Sequence, residues 1–178
     1  HLMRPEIEAA QYSYRHTRMN RAGLLATLLL LSLLSTQLLL AVSVEPWQVN
    51  GTLAALKEAN VRVQSQALVK LGLLKQPSTI PQIVEVLNRR PPPEVPVKEF
   101  NSLRVEALRA LGEMGEAARE QMPLVVGILK DESQDVNARG HAAVALGRMG
   151  EAAKEHADYL YAIVLDKSKD ADLRAAAI

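Results

Sequence analysis

The feature that most constrains this chain is an internal repeat of 35 residues. Residues 103–131 read LRVEALRALGEMGEAAREQMPLVVGILKD, and residues 138–166 read ARGHAAVALGRMGEAAKEHADYLYAIVLD. The two align without a gap, and Ala107, Ala142 and Ala177 extend the series. Residues 64–89 hold a worn copy in which Ala67, Leu71 and Gly72 keep the frame, and residues 170–178 begin a fourth. Self-similarity at this period marks units that stack into an elongated array.

Each unit carries two helical patterns. In the first, Leu103, Ala107, Leu108, Leu111 and Met114 fall on one face, matched by Ala138, Ala142, Ala143, Leu146 and Met149. In the second, Val125, Ile128 and Leu129 are matched by Leu160, Ile163 and Val164, and by Ile83, Val86 and Leu87. Apolar residues at this spacing predict amphipathic helices. Two helices cannot bury both stripes alone, so the copies must stack. The predicted fold is therefore all-α: an α-solenoid of two-helix repeats at about 61–90, 103–131 and 138–166, with an incomplete copy at 170–178. Gly115 and Gly150 are expected to end first helices as left-handed caps. Gly112 and Gly147 are expected to permit close helix approach. Pro81 and Pro123 suit first turns of second helices, and Asp158 replaces them as a cap in the third copy.

These motifs resemble HEAT-like repeats of the short type found in phycobilisome lyases. The resemblance rests on ALGEMGEAA at 110–118, ALGRMGEAA at 145–153, and the Asp-to-Arg spacing of 131/139 and 166/174. It implies that Asp131 with Arg139, and Asp166 with Arg174, join successive units, with Arg104 in the same series. Arg89 stands where the first copy would need its aspartate. The resemblance also implies that second helices line a concave face.

A second segment constrains location. Residues 22–44 hold no charged side chain, are rich in leucine, and follow Arg15, Arg18 and Arg21. That length suffices for a transmembrane helix. The arginines place residues 1–21 in the cytoplasm and the repeat domain, 45–178, outside it. Two versions stay open: a membrane anchor, or a signal peptide cleaved after Ala41-Val42-Ser43 that leaves a periplasmic or secreted protein. The chain begins with His1 and stops at Ile178 inside the pattern, so it reads as a fragment of a longer protein.

Chemistry is sparse. No cysteine is present, which excludes disulfides and thiolate metal sites. Residues 44–178 carry 17 basic and 18 acidic side chains, without the cationic surplus that a nucleic-acid surface needs. His141 and His156 read as solvated surface residues. No catalytic, cofactor or metal constellation and no small-molecule site is predicted. The expected function is a non-catalytic scaffold for another protein. Alternatives are a bilin lyase or isomerase subunit, an accessory module of an enzyme whose catalytic domain follows residue 178, or a HEAT-type alkylpurine glycosylase. The last is disfavoured by the charge balance and the few aromatics. Candidate partner contacts are Val84, Val126 and Tyr161, which align across three second helices. Phe100 joins them from the proline-rich connector 89–101, which Pro91, Pro92, Pro93 and Pro96 predict to be extended.

Overall fold

The computed structural model describes residues 25, 27–30, 32 and 44–178, the side chain of residue 152 excepted. The chain divides into two units, His1–Ser43 and Val44–Ile178. Within the first, residues 25, 27–30 and 32 are helical. The remainder of the predicted signal or anchor segment, and residues 1–21, lie outside the described residues. Among the described residues no helix is long and apolar enough to cross a membrane.

The second unit contains eight α-helices: α1 Pro46–Ala55, α2 Val61–Leu74, α3 Ile80–Asn88, α4 Val97–Met114, α5 Met122–Lys130, α6 Val136–Arg148, α7 Ala157–Leu165 and α8 Ala171–Ala176. Every regular element among the described residues is helical. The repeats are α2 with α3, α4 with α5, and α6 with α7, and α8 opens a further one.

Local chemistry sets the boundaries. Asn60 caps α2, Asp135 caps α6 and Asp170 caps α8, each side chain accepting two backbone N–H bonds from the first turn. This satisfies donors that a helix start leaves without partners. Pro81 and Pro123 fall in the first turns of α3 and α5 as expected. Asp158 lies in the first turn of α7 rather than at its cap, which is His156. Gly115 and Gly150 adopt positive φ, +58° and +82°. Gly115 has ψ −129°, so it departs from the left-handed helical cap, and 3-10 turns at Gly115–Gln121 and Gly150–His156 carry the chain to the second helices.

Packing follows the predicted stripes. Leu103, Leu108, Leu111, Leu146 and Met149 of the first helices, with Ile83, Val125 and Leu129 of the second, are fully buried in one continuous core. The first helices α2, α4, α6 and α8 lie directly against one another in sequence. Each second helix packs mainly on a neighbouring first helix. The close approach has a residue-level cause. A Cβ added to Gly72 would stand 3.0 Å from the Cα of Ala110, and one added to Gly112 would stand 3.1 Å from the Cα of Ala145. Gly147 differs from its expected role: a Cβ there meets nothing within 4 Å.

The connector 89–96 also differs from the extended path. The Val95 N–H donates to the Pro92 carbonyl at 3.0 Å, closing a turn. Helix α4 then begins at Val97, six residues before the repeat register.

Candidate functional site: a groove on the first helices

The exposed edges of α4 and α6 build a surface from charged and small residues. Arg109 lies 3.6 Å from Glu106 one turn earlier on α4, and Arg148 of α6 reaches across to Glu113 of α4. Because Gly112 and Ala145 let the two backbones close up, these longer side chains stand as walls around a low floor. The depression between them has a volume of about 340 Å³ and is lined by Arg109, Gly112, Glu113, His141, Val144 and Arg148 among others. A second, of about 430 Å³, continues past Glu106, Ser102 and Lys98 toward Asp135. A third, of about 120 Å³, lies toward Asp172 and Ala176 of α8. His141 lines all three.

His141 is half-buried rather than freely solvated. Burial holds its pKa below the ordinary histidine value, and the positive charge of Arg109 adds to the effect; Glu106 opposes it. The imidazole is therefore neutral at pH 7 and offers one donor and one acceptor. Each arginine of the groove already has a carboxylate beside it, so the surface is polar but close to balanced in charge. Among the described residues no group of three His, Cys, Asp or Glu is arranged to hold a metal ion.

The predicted partner-binding residues are not brought together. Val126 is 9% exposed and belongs to the core, Val84 is half-buried against that core, and Tyr161 alone is open at 64%. An exposed apolar column along the second helices is therefore not formed. Phe100 is 4% exposed. It sits in the first turn of α4, with the Arg104 guanidinium 5.5 Å over its ring, and not on the connector. The stripe Phe100, Leu103, Ala107 explains this, since it extends the buried face of α4 by one turn.

Among the described residues no direct ion pair joins Asp131 to Arg139 or Asp166 to Arg174; each arginine acts on its aspartate through space, as the smallest of several influences. Asp131 accepts from the Ser133 N–H and hydroxyl and from the Gln134 amide. These bonds hold its carboxyl below the usual range. Asp166 repeats the first two bonds with Ser168, with the same effect. Each aspartate thus closes its own turn. Arg139 is buried, and its Nε donates to the Leu129 carbonyl at 3.1 Å, tying α6 to the end of α5. Arg104 does more: Nη1 donates to Gln134 Oε1 at 2.7 Å and Nη2 to the Arg89 carbonyl at 3.3 Å. It thereby secures the first junction, where the turn aspartate is absent. Arg174 Nε is buried without a hydrogen-bond partner. A further tie, Lys169 to Glu132, links the two turns. The shared Asp-x-Ser-x-Asp pattern of 131–135 and 166–170 is the sequence signal that identifies these self-closed turns.

Stacked two-helix units define a helical repeat architecture. Residues 97–178 match the family model described as HEAT repeats. The match covers α4 to α8, and this part of the chain is similar to HEAT repeats. A comparison with curated proteins finds no match.

Proposed function

We propose that this protein is a non-catalytic scaffold that binds another protein along the first-helix groove, with its repeats held outside the cytoplasm. The observation that carries the binding reading is the convergence of three neighbouring depressions on His141. A stack of helices offers a long surface rather than an enclosed pocket. Neutral imidazole and paired charges at its centre suit a polypeptide with mixed side chains, and they suit a polyanion poorly.

The export reading is supported by the charge-free run at 22–44 and the arginines that precede it. Both outcomes of that segment, anchor and cleaved signal, give repeats on the same side.

A photo-crosslinking amino acid at position 141, compared with one at position 161, tests the groove in the native host. A discrete adduct from 141 and none from 161 supports it. Adducts from 161 alone overturn it. Reporter fusions after Ile178, one active only in the periplasm and one only in the cytoplasm, test the location. Cytoplasmic activity alone overturns export.

A further inference from the structure

The end of the array formed by α1 and α2 carries an apolar surface that neither the repeat packing nor the groove uses. Trp47 is 69% exposed, Leu73 is 69% exposed, and Val69 is also open. On α2, Gln66, Val69, Lys70 and Leu73 recur at spacings of three and four, which puts them on one face. Gln66 and Lys70 line a depression of about 250 Å³ together with Trp47 of α1. Val69 and Leu73 lie outside that depression, and Gln66 and Lys70 stand on α2 between it and them.

The composition of this end is specific. Indole has an apolar body and a polar N–H, and it settles at the boundary between water and lipid. A lysine beside aliphatic side chains can lay its stem along apolar surface and keep its ammonium at phosphate level. Helix α1 begins at Pro46, two residues after the charge-free run ends at Val44. The surface is thus carried on the part of the repeat domain nearest in sequence to that run.

We infer that this face, Trp47 with Val69, Lys70 and Leu73, rests on the lipid headgroup layer. The inference depends on the proposal that residues 22–44 are held in a membrane, and it adds a second, non-covalent attachment through the repeat domain itself. Leu73 is the deciding residue. Chain connection alone brings Trp47 close to a membrane, but it places no such demand on Leu73.

The full chain, reconstituted into vesicles of phosphatidylcholine with phosphatidylglycerol, provides the test. Because the chain has no cysteine, Leu73→Cys and Leu165→Cys each accept a single polarity-sensitive label. Leu165 is exposed at the far end of the array and serves as the control. The expected result is blue-shifted emission at position 73, with roughly threefold more quenching than at 165 by lipids brominated near the headgroups. A label at 73 as wet as that at 165, on protein that still floats with the vesicles, overturns the inference and leaves the membrane tether standing. Failure to float with the vesicles overturns both. A blue shift at 73 that appears without vesicles and grows with protein concentration assigns the face to a second copy and likewise overturns it.

Discussion

The Cα of Ala145 crowds Gly112: a Cβ on that glycine would stand 3.1 Å away, tighter than ordinary contact. Gly147 occupies the same place one unit later and faces open space. The two glycines are therefore expected to respond in opposite directions. Gly112→Val should destabilise by about 1–3 kcal/mol through overpacking. Gly147→Ala should stabilise by about 0.5–1 kcal/mol, because alanine loses less backbone entropy in a helix. Urea unfolding of both variants checks this, and equal losses would contradict it.

The two equivalent arginines of α6 and α8 should also separate. Arg139→Met removes the donor to the Leu129 carbonyl in a buried setting, for an expected loss of about 1–3 kcal/mol. Arg174→Met removes a group whose Nε has no hydrogen-bond partner, and should cost clearly less. Thermal melts that rank Arg174 above Arg139 would refute the junction geometry.

Acid should weaken the fold in two windows. His141 has a folded pKa below its unfolded value, which is about 6.5. In the window just below that value the unfolded chain binds the proton and the folded chain resists it, so stability falls as pH falls. His141→Gln should flatten that part of the curve. The remaining fall, at lower pH, belongs to Asp131, Glu132 and Asp166, whose folded pKa values are also lowered. Their stabilisation is present above the ordinary carboxylate range and is lost on acidification through it. Denaturant midpoints measured from about pH 2 to about pH 8, with and without the substitution, are the check.

The aligned second-helix residues should split by burial. Val126→Asp places an unpaired charge in the core, for an expected loss of several kcal/mol. Tyr161→Asp alters an open surface position and should stay within about 0.5 kcal/mol. Similar losses at both sites would mean that Tyr161 is packed.

How far the sequence foretells this structure depends on the range of the forces involved. The stripe of Leu103, Ala107, Leu108 and Leu111 is a property of one helix, and period alone reveals it. Asn60 and the first-turn prolines are equally local. Gly112 and Gly147 lie in nearly identical sequence, ALGEMG and ALGRMG, and only the neighbouring helix distinguishes them. The same holds for His141, whose partial burial comes from the stacked first helices and not from its own turn. Phe100 was legible from its three-residue spacing to Leu103, but the adjoining prolines draw the eye to the connector. The groove itself was not legible, because its floor is made by backbone approach and its walls by ordinary surface charges.

Arg104 has a consequence for cooperativity. In a linear array each unit is coupled only to the next, and unfolding can proceed as unzipping from an end. Arg104 belongs to α4, yet it grips the Arg89 carbonyl before it and Gln134 after it. One side chain thereby strengthens the nearest-neighbour coupling on both sides of its unit. The middle of the array is then expected to melt as one block while α8 frays independently. In hydrogen exchange the amides of α2, α4 and α6 would share a single opening free energy, and Arg104→Met would divide it into separate values.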